Sequence, residues 1–191
     1  VLGYDAEGRL TASDVELTLI PYYAWAHRGS GNMMVWLPQE VSATSPSMSA
    51  TLASESRVDA SHKTTALSAI NDRLVPVDEN DRSMAYYHWW PMKNSTEWIT
   101  YEFPKPSKVS SSTVYWFDDE PWGGCRVPQS WKLYYKDEQG GWTPVSAAGT
   151  YGTKKGVPNT VEFTLVQTTA MKLEVVLPKD NSAGVFEWEV E

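Results

Sequence analysis

Apolar and polar residues alternate with a period of two in five separate stretches of the chain, and this pattern constrains the fold more than any other feature. The stretches are residues 15–19, 99–103, 161–165, 171–175 and 186–190. Alternation puts apolar side chains on one face of a strand and Glu, Lys or Thr on the other, as in half-buried strands of an antiparallel sheet. Residues 131–135 fit the same pattern, and only residues 63–70 resemble a helix. The sequence therefore predicts an all-β antiparallel sandwich or jelly roll.

A small, polar segment at residues 42–51 predicts a boundary between two parts of the chain. Residues 15–37, before it, are predicted to form two strands joined at residues 27–31. Because two strands alone cannot bury a core, they must pack on the following domain or belong to an adjoining one. We assign residues 1–45 to the end of an adjoining β-sandwich domain and residues 46–191 to a second β-sandwich. The chain begins with Val and shows no signal sequence, so we expect a processed or excised piece.

Charge and aromatic content narrow the range of partners. The formal net charge is −8 and the sequence pI is about 4.9, which disfavours nucleic acids and anionic membranes as ligands. No apolar run approaches the roughly 20 residues of a membrane-spanning helix. Ten Trp and ten Tyr against four Phe indicate rings that serve surfaces as well as the core. A neutral ligand fits this composition. The single cysteine, Cys125, excludes an internal disulfide and is expected to be a small buried side chain.

Residues 114–131, VYWFDDEPWGGCRVPQSW, combine a strand with a loop that carries candidate ligand-binding groups. Asp118 and Asp119 follow the strand, Trp122 stands next to two glycines, and Arg126 comes shortly after. An aromatic face packs on the C–H face of a sugar, while carboxylates and guanidinium groups hydrogen-bond its vicinal hydroxyls. The alternative is that Trp122 fills a loop core and Arg126 pairs with Asp118 or Asp119.

Two further rings are candidates for the same site. Trp90 belongs to the segment His88-Trp-Trp, where a strand would bury one indole and expose the other, so Trp90 is either a ligand platform or core. Tyr151 is flanked by glycines on a predicted loop. Adjacent Asp118 and Asp119 do not suit glycosidase chemistry, which needs two carboxyl groups facing each other across a cleft. We therefore expect binding and no catalysis within this chain.

Residues 19–37, which include PYYAWAHRG, resemble the closing strands of bacterial glycoside hydrolases of the β-L-arabinofuranosidase type. In that family a helical (α/α)6 catalytic barrel is followed by β-sandwich domains. The resemblance implies that this chain comes from the C-terminal end of such an enzyme, without its catalytic barrel.

Residues 54–191 resemble the coagulation factor V/VIII type C domain, a discoidin-like and galactose-binding-like family. The resemblance depends on the motifs AINDR at 69–73, HWW at 88–90, VYWFD at 114–118, GGCRVP at 123–128 and FEW at 186–188. It implies a discoidin-like jelly roll, and bacterial members of this family are usually carbohydrate-binding modules.

Together the resemblances imply a non-catalytic carbohydrate-binding module at the C-terminus of a secreted or periplasmic bacterial glycosidase. Its partners would be a plant-type glycan and the adjacent catalytic domain of the same parent chain. One alternative is a purely structural domain that packs on the catalytic barrel and binds no sugar. Another is protein or phospholipid recognition, which would require exposed apolar spikes ringed by Lys and Arg; the acidic composition disfavours it.

The second resemblance also implies a structural Ca²⁺ site. Carried over to this sequence, its ligands would be Ala69, Asp72, Ser83 and Glu187, since hard oxygen ligands suit Ca²⁺. Two features depart from the family. Arg73 stands where the family commonly has Gly, and the loop at residues 74–81 is longer than usual. The arginine could weaken the site or replace the ion with an Arg–carboxylate pair.

Overall fold

The computed structural model of the chain describes residues 2–4, 10–12, 49–63 and 66–191. The chain divides into two compact units, Val1–Ser49 and Ala50–Glu191. In the first, strand β1 (Leu2–Tyr4) pairs antiparallel with β2 (Leu10–Ala12). The strands predicted within residues 15–37 lie outside the described residues. The assignment of residues 1–45 to an adjoining domain stays a prediction.

The second unit is an antiparallel β structure, so the predicted fold class is confirmed. Its strands are β3 (Arg57–Ala60), β4 (Tyr87–His88), β5 (Thr96–Phe117), β6 (Ser130–Lys136), β7 (Trp142–Pro144), β8 (Asn159–Val176) and β9 (Gly184–Val190). The hydrogen-bonded order is β4-β9-β5-β8-β6-β7, with β3 beside β5. Within the described residues of this unit, the helical stretch predicted near residue 70 is a short 3₁₀ helix, Leu67–Asn71.

Strands β5 and β8 are long enough to take part in both layers of the sandwich. The first part of β5 pairs with β3 and with the end of β8, and its last part pairs with β9. Register shifts after Glu102 and Val109 interrupt the β5–β8 ladder, and such bulges bend a strand. The buried side chains of the two parts form one core. At its centre the rings of Tyr101 and Trp188 stack with centroids 4.1 Å apart.

The alternation predicts most of the buried faces, and the exceptions are Glu187 in β9, a polar position that is fully buried, and Leu165 in β8. Leu173 and Val175 in β8 are fully buried, as their positions predict. Leu165, in the same strand, is 57% exposed although it lies in an alternating stretch. The β5–β8 ladder passes from the pair Val109–Val166 to the pair Ser111–Glu162. Residues 163–165 therefore have no partner in β5, and the inward–outward pattern, still kept at Phe163, is lost at Leu165.

In the described part of the chain, no helix has the length and apolar character that crossing a membrane requires.

Candidate functional site

A cavity of about 590 Å³ lies where strand β4 approaches the loop that follows β5. This loop covers residues 118–129 and is called the acidic loop below. It is anchored by backbone hydrogen bonds: Arg126 N donates to Ser182 O, and Ser182 N donates to Gly124 O, both at 2.9 Å. The cavity is lined by Tyr86, His88, Trp90, Phe117, Asp119, Trp122, Gly123, Gly124 and Cys125.

Alternation around β4 explains why three ring-bearing side chains face the cavity together. Tyr87 and Trp89 are fully buried in the core, where their rings meet edge to face at 5.1 Å. The residues between and beside them, Tyr86, His88 and Trp90, therefore point to the other side of the strand and line the cavity. This period-two pattern, YYHWW, is visible in the sequence. Sequence reasoning identified only Trp90 from it.

The floor of the cavity is an aromatic stack held by an arginine. The rings of Tyr86 and Phe117 lie nearly parallel, 14° apart, with centroids 3.8 Å apart. The guanidinium carbon of Arg82 lies 5.1 Å from the centroid of Phe117, and its Nη1 donates to the Tyr86 hydroxyl at 2.7 Å. Cation–π attraction and this hydrogen bond fix the position of Arg82 over the rings. Arg82 and Tyr86 were not identified from the sequence because they lie more than 30 residues before the acidic loop.

The two tryptophans of the cavity differ in how they are held. Trp90 is 45% exposed, and its ring packs so closely on Gly124 that a Cβ there would lie 2.2 Å from the indole. The ammonium group of Lys93 lies 5.2 Å from the ring centroid of Trp90. Trp122 is 88% exposed, and its backbone N–H donates to the Asp119 carbonyl at 2.9 Å. Trp122 therefore does not fill a loop core.

The structure separates the consecutive acidic residues into different roles. Asp118 has no accessible side-chain surface and is absent from the cavity lining. Its carboxylate accepts hydrogen bonds from the backbone N–H groups of Glu120 and Val127 and pairs with Lys155 at 3.0 Å. A carboxylate used in this way stabilises the loop and has no surface left for a ligand. Asp118 was predicted as a ligand-binding residue, and the structure places it beneath the site.

Asp119 lines the cavity, and Arg126 braces the loop beside it. Asp119 Oδ1 accepts from the Cys125 N–H at 2.8 Å and lies 3.4 Å from Arg126 Nη1, while Oδ2 lies 3.8 Å from Arg82 Nη2. Arg126 Nη1 also donates to the carbonyls of Gly123 and Cys125 at 3.1 and 2.6 Å. Arg126 does not line the cavity. It forms the ion pair with Asp119 that the alternative interpretation predicted.

Tyr151, the remaining predicted ligand-binding residue, is not brought to the cavity. Its ring meets that of Trp131 edge to face, with centroids 4.8 Å apart, and packs against the main core. The indole N–H of Trp131 donates to the Gly152 carbonyl at 2.7 Å, which holds the loop of Tyr151 against β6. Tyr151 is half-buried and belongs to the sandwich.

His88 adds a polar group to the cavity that sequence reasoning did not assign. Burial lowers the pKa of His88, as does nearby His62, while Asp119 opposes the shift. The imidazole is therefore neutral near pH 7. A neutral imidazole has one donor and one acceptor nitrogen. Its Nδ1 is buried without a hydrogen-bond partner among the described residues.

Cys125 behaves as predicted for a buried thiol. It is 4% exposed, and burial together with Asp119 raises its pKa to about 12. A thiol with such a pKa is not a nucleophile at neutral pH.

Of the four residues implied as calcium ligands, the structure brings Asp72 and Glu187 together. Glu187 is fully buried; its Oε2 accepts from the Arg73 backbone N–H at 3.0 Å, and its Oε1 has no partner among the described residues. Burial, assisted by the neighbouring Asp72 and Glu189, raises the pKa of Glu187 to about 9. A carboxyl pair in which Glu187 is buried and has an unpartnered oxygen, with Asp72 partly buried beside it, fits a cation.

The structure gives less support to the other two implied calcium ligands, Ala69 and Ser83. Ala69 is buried in the 3₁₀ helix that ends next to Asp72 and could contribute only its carbonyl oxygen. The Ser83 hydroxyl donates to Asp81 Oδ1 at 2.6 Å. Across the residues that the structure describes, no group of three or more His, Cys, Asp or Glu side chains is placed to hold a metal.

Arg73 has φ of 67°, the left-handed conformation that explains why glycine is common at this position in the family.

Comparisons with known proteins agree with both sequence resemblances. Residues 5–38 match the model of the glycoside hydrolase family 127 C-terminal domain. The fold is shared with a chain of the Streptococcus pneumoniae β-galactosidase BgaA, with a TM-score of 0.59 and 17% identity over 82% of this chain and 94% of that one.

Two modules from Clostridium perfringens have the same fold. The family 32 carbohydrate-binding module of NanJ, solved in complex with galactose, has a TM-score of 0.54 and 18% identity over 73% of this chain and 95% of that one. CpGH89CBM32-5, solved with GalNAc-β-1,3-galactose, has a TM-score of 0.56 and 16% identity over 74% and 99%. The resemblance to the C-terminal part of a glycoside hydrolase with a discoidin-like domain is therefore confirmed.

Proposed function

We propose that the unit Ala50–Glu191 is a non-catalytic carbohydrate-binding module and that the cavity beside the acidic loop is its glycan site. The observation that carries this proposal is the 88% exposure of Trp122 next to the half-exposed Trp90, both lining one cavity. Two exposed indoles that line one cavity form an apolar patch of the kind that marks a binding site, and aromatic faces pack on the C–H faces of sugars. The glycan-bound modules of the same fold support this function.

The polar groups of the cavity suit a neutral sugar. Because Nδ1 of His88 is buried, the imidazole offers its other ring nitrogen, Nε2, and Asp119 offers acceptor oxygens whose charge is offset by Arg82 and Arg126. Uncharged hydroxyl groups are matched by such balanced donors and acceptors. Among the described residues, Asp119 is the one carboxylate in the cavity lining, whereas glycoside hydrolysis requires a pair. We therefore propose that the site binds and does not cleave.

Tethering is the purpose we propose for this binding. A module that holds its parent enzyme near a glycan raises the effective substrate concentration at the catalytic site. A Kd in the high micromolar to millimolar range, about −4 to −6 kcal/mol, suffices for that role. Secretion or periplasmic location, a bacterial source and an arabinofuranosidase-like parent are part of this proposal and rest on the sequence resemblances.

A purely structural role is the second candidate, and one feature favours it. Leu74, Val75 and Val77 expose 45%, 52% and 84% of their surface on the loop after the 3₁₀ helix. Such a patch could pack on the catalytic domain of the parent. Binding to an anionic membrane through the same patch is disfavoured, because Asp78 and Glu79 follow it directly.

Replacing Trp90 with alanine separates the two candidates. We expect the full chain to bind at least one of a panel of galactose- and arabinose-containing oligosaccharides, measured by isothermal titration calorimetry. Trp90→Ala should weaken that binding about ten-fold, because it removes a preformed platform. Trp142→Ala is the matched control, since Trp142 is 38% exposed on β7 and outside the cavity. Absence of binding to every sugar, from a folded chain, would favour the structural role.

We also propose that Asp72 and Glu187 hold a structural Ca²⁺, which would neutralise this carboxyl pair. A saturating concentration of Ca²⁺, about 100 times its Kd, should stabilise the fold by about 2.7 kcal/mol and raise Tm by about 5–10 °C. Thermal unfolding in Ca²⁺, Mg²⁺ and EDTA measures this shift. The variant Glu187→Gln should have the same Tm in Ca²⁺, Mg²⁺ and EDTA. Equal Tm of the unmodified chain in Ca²⁺ and EDTA would contradict the proposal.

A further inference from the structure

The cavity has more room and more ring surface than one sugar residue needs. Its volume of about 590 Å³ falls within the range of about 300–1,000 Å³ that is typical of pockets for drug-sized ligands. A single pyranose or furanose has roughly half the heavy atoms of such a ligand. One sugar residue on the floor would therefore leave part of the cavity empty.

The lining divides into an inner part that is fixed by packing and an outer part that is not. Tyr86 and Phe117 are stacked on each other, and Trp90 is fixed against Gly124. Together with His88 these side chains form a preorganised inner subsite. A preorganised site loses little conformational entropy when a ligand binds.

Trp122 forms the outer part. Its backbone is held in a turn, because the N–H groups of Trp122 and Gly123 both donate to the Asp119 carbonyl at 2.9 Å. Its side chain is 88% exposed, so it contributes little to the fold. It is separated from Gly124, the residue that packs on Trp90, only by Gly123, so a ligand reaching past the inner subsite meets the Trp122 indole.

We infer that the cavity has two adjacent sugar subsites, an inner one built on Trp90, His88 and the Tyr86–Phe117 floor and an outer one built on Trp122. This inference rests on the proposed glycan-binding function and adds its ligand class. The module binds oligosaccharides of two or more residues in preference to single sugars. Trp122 supplies that preference, and Trp90 contributes to the binding of any sugar.

Matched mono- and disaccharides test the inference on the full chain. The probes are galactose with GalNAc-β-1,3-galactose, and L-arabinose with a β-linked arabinofuranose disaccharide, each titrated by calorimetry. We expect the preferred disaccharide to bind about ten-fold more tightly than its monosaccharide, as one additional stacking contact provides. Trp122→Ala should remove that advantage, because it weakens disaccharide binding about ten-fold more than monosaccharide binding. Trp90→Ala should weaken both ligands to the same extent.

The outcomes distinguish this inference from the proposed function. Equal affinity for mono- and disaccharide, or an equal loss for both in Trp122→Ala, overturns the two-subsite arrangement and leaves glycan binding in place. Absence of binding to all four sugars overturns the proposed function and the inference with it. Trp142→Ala, an exposed tryptophan outside the cavity, serves as the control and should bind both ligands as the unmodified chain does.

Discussion

Replacing Trp188 with alanine is expected to lower the free energy of unfolding by about 4–5 kcal/mol, because truncating a buried Trp costs about 3–5 kcal/mol and a hydrogen bond is lost as well. Trp188 is fully buried between the two layers and stacks on Tyr101. Its indole N–H donates to the Ser112 hydroxyl at 2.8 Å. In a chain of this size the change corresponds to a Tm lower by about 10–15 °C.

Chemical denaturation of the full chain measures this effect, with two variants as controls. Trp188→Phe keeps a ring against Tyr101 and loses the indole hydrogen bond, so it should cost less than half as much as alanine. Trp142→Ala changes a tryptophan that is 38% exposed and should cost less than about 1 kcal/mol. A Trp188→Ala variant as stable as Trp142→Ala would show that the two layers do not share the core described above.

Replacing Gly124 with alanine is expected to reduce glycan binding by about 100-fold or more while the sandwich stays folded. A Cβ at this position would lie 2.2 Å from Cζ3 of Trp90, a distance that no packed structure tolerates. The backbone of the acidic loop is anchored to Ser182, whereas the indole of Trp90 is half-exposed and can move outward. The ring therefore leaves the platform position. Two effects then combine, since the inner stacking surface is lost and the cavity changes shape.

A second glycine provides the matched control for this prediction. A Cβ added at Gly149 would meet no atom within 4 Å beyond its chain neighbours, and the φ of this residue is not positive. Gly149→Ala should therefore change neither binding nor Tm by a measurable amount. Calorimetric titration of both variants with the best-binding sugar, together with their thermal unfolding, completes the test. Unchanged affinity in a folded Gly124→Ala variant would exclude Trp90 from the glycan site.

The sequence predicts the fold well because the four longest strands of the second unit, β5, β6, β8 and β9, each contain an alternating stretch. The alternating residues of β5 and β8 identify their buried faces, and the class of the fold follows from many short strands without a long helix. The exposure of Leu165 could not be predicted, because it depends on a register shift against β5, a strand about 55 residues earlier in the chain. Pairing across such a distance leaves no local pattern.

The site was predicted only in part, for a related reason. Trp122 could be identified from its two neighbouring glycines, and Trp90 from its position beside a second Trp. Composition could not distinguish Asp118 from Asp119, because their difference lies in which backbone N–H groups and cations reach each carboxylate. Arg82 supports the cavity floor only through its contacts with Tyr86 and Phe117, which the fold creates.

The most direct test of the glycan site is a ¹H–¹⁵N spectrum of the tryptophan indoles during titration with the galactose- and arabinose-containing panel. Ten tryptophans give ten indole N–H signals, which single Trp→Phe variants assign. We expect saturable shifts at Trp90 and Trp122, while the buried indoles of Trp131 and Trp188 stay in place. Saturable shifts confined to tryptophans outside the cavity, or no shift with any sugar up to tens of millimolar, would contradict the proposed glycan site.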